Sequence, residues 1–343
     1  MKSPFRSIGR ILFLLLVLVL LVIGGILAWF SSWRADKLAA LDGDSEILNT
    51  LYGPVEFVVR GEGPAVLIFH GAPGGYDQAL LFGAPLLEAG FQVIAPSRPG
   101  YLRTPLSSGL LPSQQADLFS ALLDNLGQRD AAVIGISGGA PAAIEFAFRH
   151  PNRVWALAVL GGVTKSLNPG AIKEFPQPGM VVLNGLTGDI GSWLAVEMAK
   201  HDPRQMLTIA LEAEDVGDAT SRYLVANDVM KDPAQIAWFQ GLIDSFAPLS
   251  PREAGTRNDT LNHHALPEYP FEKITAPTLF IHGEKDKGLP MADAQAAAKR
   301  IPGAQFIGVD GVGQLVFLGP KGPEAQQSLI EFLKQHAPSQ EQP

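Results

Sequence analysis

Residues 131–146 read AAVIGISGGAPAAIEF, and no other segment says more about the fold of the chain. The apolar run at its start predicts a buried β-strand, and the alanine-rich end predicts a helix. Between them lies Gly-Ile-Ser-Gly-Gly, whose small residues leave room for a sharp turn between a strand and a helix. A serine on such a turn projects its hydroxyl above the edge of a sheet. Ser137 is therefore a candidate nucleophile.

Short apolar runs alternate with amphipathic runs on both sides of this motif. We predict strands over residues 55–60, 65–69, 91–95, 131–136, 154–160, 278–281 and 305–309, and helices over residues 77–88, 114–126, 141–149, 292–300 and 324–335. This alternation indicates an α/β fold with a doubly wound, mostly parallel sheet covered on both faces. It stops over residues 164–266, whose helical patterns fit either a cap over a site or ordinary packing helices.

A glycine-rich stretch, HGAPGG at residues 70–75, directly follows one predicted strand. Backbone N–H groups in such a loop can approach a ligand closely, and the oxyanion that develops in acyl transfer needs donors of this kind. We expect these donors to be the amides of Ala72 and of Gly138, the residue after Ser137. The alternative is a plain strand-to-helix turn.

The sequence HGEKD at residues 282–286 follows another predicted strand. Open α/β sheets place their ligands at the carboxyl ends of strands, so a carboxylate here can orient a catalytic base. Asp286 lies beyond the turn and is better placed for this than Glu284. We expect His282 to pack at the strand end rather than to titrate.

Together, the three motifs resemble those of the α/β-hydrolase fold family over about residues 55–335. HGAPGG is similar to its oxyanion loop, GISGG to its nucleophile elbow and HGEKD to its acid loop. The resemblance implies that Ser137 is the nucleophile, that Asp286 is the acid of a catalytic triad, and that a lid is inserted after the sixth strand. Epoxide hydrolases and haloalkane dehalogenases of this fold carry an aspartate at the elbow, so the serine argues against both activities.

The chain departs from the family in the loop before the last helix. Family sequences are Gly-Gly-His-like there, whereas this chain has Gln314 in the histidine position. An amide can accept a hydrogen bond from a serine hydroxyl but cannot take its proton near neutral pH, so Gln314 is not a competent base. His263 and His264, where the cap returns to the core, are the candidate substitute bases; a surface or packing role is the alternative.

Residues 11–30 carry no charge and are long enough for one helical crossing of a membrane. A cleaved signal peptide would have a shorter apolar core and a clearer cleavage site. Lys2, Arg6 and Arg10 precede this segment and predict a cytoplasmic N-terminus, with the remaining chain on the exported, periplasmic or extracellular side.

The pattern divides the chain into seven segments. They are a cytoplasmic N-terminus (1–10), a transmembrane anchor (11–30), a tether (31–50), the first part of the core (51–163), the cap (164–266), the second part of the core (267–337) and a tail (338–343).

Composition excludes several classes of function. A net charge of −8 offers no broad basic surface for nucleic acid, and the absence of cysteine excludes disulfides and thiolate metal sites. Neither a metal-binding spacing nor a phosphate-binding signature occurs, so we expect no metal and no cofactor.

Two functions from different classes fit these observations. The leading hypothesis is a membrane-anchored serine hydrolase that acts on an ester, amide or similar acyl bond of a small apolar substrate and is impaired by Gln314. The alternative is a catalytically inactive pseudo-hydrolase that serves as a binding or scaffold protein at the membrane. A third reading takes Gln314 as a chance or engineered change in an otherwise active enzyme.

Overall fold

The computed structural model describes residues 4–167 and 185–338, in two compact units, Met1–Gly43 and Asp44–Pro343. The first unit is formed by the helix α1 (Pro4–Asp44), so the predicted anchor is part of a longer helix. Its segment Arg10–Asp44 is long and apolar enough to cross a membrane, with a mean hydropathy of 3.3 in its apolar window. A helix of this kind at an N-terminus fits both an anchor and a signal sequence.

The second unit is built on an eight-stranded sheet. Its strands are β1 (Glu46–Thr50), β2 (Gly53–Arg60), β3 (Ala65–Phe69), β4 (Gln92–Pro96), β5 (Ala131–Ile136), β6 (Val154–Leu160), β7 (Thr278–Gly283) and β8 (Gln305–Val309). They lie in the order β1-β2-β4-β3-β5-β6-β7-β8. The pairs β1–β2 and β2–β4 are antiparallel, and all other neighbours are parallel. The predicted α/β fold with a mostly parallel sheet is thus confirmed, and the carboxyl ends of β3, β5 and β7 meet at one edge.

Helices cover both faces of the sheet. They are α2 (Tyr76–Glu88), α3 (Pro112–Asn125), α4 (Ala140–Arg149), α10 (Met291–Arg300) and α11 (Gly322–His336). Helices α3, α4 and α10 bury apolar side chains in one large core with inward-facing residues of the strands. Helix α2 packs on the opposite face, where its Gly83 approaches Ile68 and Val93, and it contacts α11. Burial of the strands on both faces explains their continuous apolar sequences.

Further helices lie between β6 and β7. They are α5 (Gly185–His201), α6 (Pro203–Ala213), α7 (Ala219–Val229), α8 (Pro233–Asp244) and α9 (Glu253–His264). Residues 185–264 are called the cap below. They fall within the cap predicted over residues 164–266, of which residues 168–184 lie outside the described residues, as do residues 339–343 of the predicted tail.

The last five residues of the tether predicted over residues 31–50 form strand β1. Strand β1 pairs antiparallel with β2, so the sheet begins at Glu46 and not after the predicted core boundary at residue 51. The side chains of this edge strand are exposed or half-buried. Because no face of β1 is fully buried, its sequence lacks the apolar pattern by which strands are recognised.

Candidate active site

Ser137 lies on the tight turn between β5 and α4. Its φ of 46° is in the left-handed region, which residues other than glycine rarely adopt. Close packing explains its small neighbours: a Cβ at Gly135 would lie 2.7 Å from the Cβ of Ala143, and one at Gly139 would lie 2.4 Å from the carbonyl oxygen of His70. Such strained backbone concentrates at functional sites, where the surrounding packing holds it in place.

The loop of residues 70–75 packs directly beside this turn, since a Cβ at Gly71 would lie 3.3 Å from the Cβ of Ser137. The His70 ring holds the loop: its Nδ1 lies 2.7 Å from the carbonyl oxygen of Gly71, and its Nε2 accepts a hydrogen bond from the backbone N–H of Arg98 at 2.9 Å. Burial, followed by the Arg98 charge, lowers the pKa of His70. His70 is therefore a neutral positioning residue.

Arg98 connects this loop to the cap. Its buried side chain donates from Nε to the carbonyl oxygen of His70 at 2.8 Å, and its guanidinium contacts both carboxylate oxygens of Asp259 in α9. The hydroxyl of Tyr101 donates to the same carboxylate at 2.6 Å. Sequence reasoning missed the pairing of Asp259 with Arg98 and Tyr101, because Asp259 lies 161 and 158 residues away from them and none of the three belongs to a motif.

Asp286 lies in the turn after β7 and is 7% exposed. Its Oδ1 accepts the backbone N–H of Leu289 at 2.7 Å, whereas its buried Oδ2 accepts no hydrogen bond from the described residues. The Nε2 of His282 is 3.6 Å from Oδ2 but lies 2.7 Å from the carbonyl oxygen of Leu289, to which it donates. Burial raises the pKa of Asp286 to about 7, and backbone N–H groups partly offset this shift. Burial also lowers the pKa of His282.

Gln314 lies in the loop between β8 and α11, opposite Ser137. The Ser137 hydroxyl donates to its Oε1 over 3.4 Å, which is a long hydrogen bond. The backbone N–H of Lys285 donates to the carbonyl oxygen of Val312 at 3.0 Å, so the loops that carry Asp286 and Gln314 lie side by side.

Glu214 reaches this second loop from the cap, at the end of α6. Its Oε2 accepts the backbone N–H of Gln314 at 2.9 Å. Burial of its carboxyl, followed by the nearby charge of Asp286, raises the pKa of Glu214 to about 8. No sequence signal singled out this residue, because nothing in a cap sequence tells which side chain meets the core.

His263 and His264 lie at the end of α9. The Nε2 of His263 is 3.3 Å from the carbonyl oxygen of Gly138. A carbonyl only accepts, so in this contact the nitrogen carries a hydrogen and is not free to take the proton of Ser137. Burial lowers the pKa of His263. The Nδ1 of His264 is 3.1 Å from the carbonyl oxygen of Leu167, and neither histidine is among the described residues that line the cavity.

A cavity of about 460 Å³ opens between this edge of the sheet and the cap. Ala72, Ser137, Glu214, Asp286 and Gln314 all line it. Much of the remaining wall is apolar and includes Phe82, Leu160, Phe239, Leu242, Ile243 and Leu249. Gly138 is buried directly after Ser137. The arrangement offers a hydroxyl, the side-chain amide of Gln314 and acidic groups to a largely apolar ligand.

Among residues 4–167 and 185–338, no group of three His, Asp or Glu side chains could hold a metal ion.

Comparison with known proteins relates most of the chain to one family. The family model of the alpha/beta hydrolase fold matches residues 64–320. An alpha/beta hydrolase fold protein from Nakamurella multipartita has a similar structure, with a TM-score of 0.75 and 30% sequence identity over 84% of this chain and 99% of that one.

Three curated relatives match over most of their length at 26–28% identity. An uncharacterised hydrolase of Bacillus subtilis, YcgS, is 26% identical over 82% of this chain and 95% of its own length. The pimeloyl-[acyl-carrier protein] methyl ester esterase of Aromatoleum aromaticum is 28% identical over 78% and 97% of the two chains. A 2-hydroxy-6-oxononadienedioate/2-hydroxy-6-oxononatrienedioate hydrolase of Cupriavidus pinatubonensis is 26% identical over 77% and 86%.

Proposed function

Because the chain belongs to the α/β-hydrolase fold family, whose members named above are hydrolases and an esterase, we propose that it is a serine hydrolase acting on an ester, amide or similar acyl bond. The observation that carries this proposal is Ser137 itself. Its left-handed backbone conformation presents a hydroxyl to a cavity that Ala72 of the neighbouring loop also lines.

In the proposed reaction, the Ser137 oxygen attacks the acyl carbon while its proton passes through water to the leaving group, and a tetrahedral intermediate forms. The backbone amides of Ala72 and Gly138 donate hydrogen bonds to its oxyanion. Collapse of the intermediate expels the leaving group and gives an acyl-enzyme, which water then hydrolyses. Arg98 and His70 act as positioning residues in this scheme, because they hold the loop that presents Ala72.

Proton transfer is the weak step of this scheme. Gln314 can hold the Ser137 hydroxyl in one orientation but cannot take its proton. We assign Asp286 as the triad acid, yet its Oδ2 accepts no hydrogen bond from the described residues, as it would from a catalytic base. We therefore propose slow turnover, since loss of one triad member leaves about 10³–10⁴-fold catalysis over water from the oxyanion hole and binding.

The cavity wall favours a substrate with an apolar body. Several relatives are named for dienedioates, which carry two negative charges. Among the described lining residues of this cavity, Lys287 is the one cation, and it already pairs with Asp215. A dicarboxylate would thus meet three acidic side chains with little compensation, so we favour substrates that carry no negative charge.

Residues 11–30 support a further part of the proposal, that α1 anchors the hydrolase to a membrane with the N-terminus cytoplasmic and the catalytic unit exported. Separation of a membrane fraction after expression of the full chain tests it. Recovery of a shortened chain in the soluble fraction would identify a cleaved signal peptide instead.

The rival function is a pseudo-hydrolase that binds a ligand in the same cavity without turning it over. Its support is the amide of Gln314 at 3.4 Å from Ser137, where a catalytic base is needed.

Turnover of 4-nitrophenyl butyrate by the full-length protein in a non-ionic detergent distinguishes the two functions. The parent is compared with Ser137→Ala and with Gln314→His. Slow release of nitrophenol that Ser137→Ala abolishes supports the hydrolase. Turnover by Gln314→His alone supports the pseudo-hydrolase, and no turnover by any of the three proteins contradicts the assignment of Ser137.

A further inference from the structure

The cavity wall carries more acidic than basic groups. Glu214, Asp215 and Asp286 line it, and the one basic group among the described lining residues is Lys287. Lys287 pairs with Asp215, and both of these side chains are more than half exposed. Glu214 and Asp286 therefore face the cavity without a balancing cation from the described residues.

Asp286 also has an unused acceptor. Its Oδ1 is held by the N–H of Leu289, but Oδ2 is buried and accepts nothing from the described residues. The nearby Nε2 of His282 directs its hydrogen to the Leu289 carbonyl oxygen. A buried carboxylate oxygen without a donor costs free energy, which a donor on a bound ligand would recover.

Glu214 brings a second carboxyl to the same region. Its Oε2 accepts the backbone N–H of Gln314. The loop that carries Gln314 lies beside the acid loop, because the backbone N–H of Lys285 donates to the carbonyl oxygen of Val312. Asp286 and Glu214 each carry a raised pKa, and the charge of Asp286 contributes to the shift at Glu214. Two like charges disfavour each other, so a cation between them would stabilise both ionised forms.

We propose that this cavity binds a ligand with a protonated amine on an apolar body, and that its ammonium donates to Asp286 Oδ2 and neutralises Glu214. The apolar side chains of the wall, among them Phe82, Phe239 and Phe246, suit a hydrocarbon body, and aromatic rings also attract cations. A bare metal ion fits less well, since the described residues contain no group of three His, Asp or Glu side chains that could hold one.

The inference concerns the pocket of the proposed hydrolase and names the kind of group that its substrate carries. It does not require turnover. Binding can therefore be measured on Ser137→Ala, which is inert as a hydrolase under the proposed function but keeps both carboxyl groups.

Isothermal titration calorimetry of the full-length Ser137→Ala protein, in non-ionic detergent at about pH 8, tests the inference with three matched probes. These are 4-phenylbutylamine, 4-phenyl-1-butanol and 4-phenylbutyrate, which share one hydrocarbon body and are cationic, neutral and anionic. We expect the amine to bind at least about tenfold more tightly than the alcohol, and the carboxylate to bind most weakly. Equal or tighter binding of the alcohol or the carboxylate would overturn the inference.

Variants locate the effect. Asp286→Asn keeps the shape of the side chain but removes its charge, and we expect it to reduce the preference for the amine to within about threefold. Glu214→Gln should reduce the preference in part. Glu284→Gln is the matched control, because this exposed carboxyl belongs to the same loop but does not line the cavity. A preference that survives both Asp286→Asn and Glu214→Gln contradicts the site.

The outcomes separate the two proposals. A protein that binds the amine but never turns over an ester contradicts the hydrolase and leaves the ammonium site in place. A protein that turns over the butyrate ester in a Ser137-dependent manner but shows no preference for the amine contradicts only the ammonium site. If Asp286→Asn does not fold, the probe series and Glu214→Gln still decide.

Discussion

The carboxylate of Asp259 in α9 pairs with the guanidinium of Arg98 beyond β4, and these side chains are only 5% and 1% exposed. The same guanidinium holds the carbonyl oxygen of His70. One buried ion pair thus fixes both the return of the cap and the loop beside Ser137.

Removal of one member of this pair should be costly. In Asp259→Ala, the Arg98 charge stays buried without its carboxylate, and we expect the free energy of unfolding to fall by about 3–5 kcal/mol. Asp124→Ala is the control, because Asp124 pairs with Arg153 on the surface and is 64% exposed. That exposed pair should contribute about 1 kcal/mol or less. Urea unfolding measures both, and equal losses would contradict the role assigned to burial.

The left-handed backbone at Ser137 predicts an unusual order of stability. Glycine adopts a φ of 46° without strain, so Ser137→Gly should be more stable than Ser137→Ala by about 1 kcal/mol. At Ser120, inside α3, the order should reverse by a similar amount, because glycine is a poor helix former. Thermal unfolding of the four variants gives both differences, and the same sign at the two sites would refute the strain.

Stability should depend on pH through Asp286 and Glu214. Their pKa values in the folded chain, about 7 and about 8, lie above the usual 3.8 and 4.5, so the folded state holds these protons more tightly than the unfolded state. This contribution to stability is complete below about pH 4 and is lost as pH rises towards 8.

Unfolding free energies at about pH 5.5 and pH 8.5 measure this loss. We expect the parent to lose at least about 2 kcal/mol more than the double variant Asp286→Asn, Glu214→Gln between these values. His282 stays nearly fixed in charge because burial lowers its pKa, and Lys287 and Asp215 compensate one another. The same loss in parent and double variant would show that other groups carry the dependence.

Gln314→His should increase esterase activity by about 10³-fold or more if Ser137, Asp286 and this loop have the triad arrangement. The rate should fall as pH decreases through the pKa of the new imidazole, because only its neutral form accepts the proton. Gln314→Asn is the control that alters the side chain without adding a base. No gain in the histidine variant would place the base elsewhere.

The histidines of α9 provide a separate test. In the parent, His263 directs its Nε2 towards the carbonyl oxygen of Gly138, so we expect the double change of His263 and His264 to alanine to alter Ser137-dependent turnover by less than about tenfold. Complete loss, with an unchanged melting temperature, would instead identify one of them as the base.

The sheet and the turn of Ser137 could be predicted because their physical requirements are local. Continuous apolar runs mark strands that are buried on both faces, and glycine is needed at positions 135 and 139 because a Cβ there would collide with neighbouring backbone and side chains. The loops at residues 70–75 and 282–286 could be predicted for the same reason, because their sequence requirements are also local. Strand β1 was not predicted, because an edge strand without a fully buried face has no comparable apolar pattern.

The polar contacts between cap and core could not be predicted in this way. Glu214 meets Gln314 across 100 residues of sequence, and Arg98 meets Asp259 across 161. Neither pairing follows a helical or strand period. Sequence reasoning marked His263 as near the site, and the structure places it against Gly138, but the direction of its ring depends on packing that one sequence does not reveal.

The polar contacts that hold the cap to the core are stronger along α9 than at the end of α6, and this difference determines where a ligand can enter. Along α9 and the turn before it, Arg98 with Asp259 and Arg252 with Asp77 hold the cap to the core through buried guanidinium groups. Separation of α9 from the core would leave the buried charges of Arg98 and Arg252 without their carboxylate partners. At the end of α6, by contrast, the polar contacts are Glu214 on a backbone N–H and the solvent-exposed pair of Asp215 with Lys287. Ligands should therefore enter and leave the cavity beneath α6, while α9 stays attached to the core and acts as the hinge of the cap.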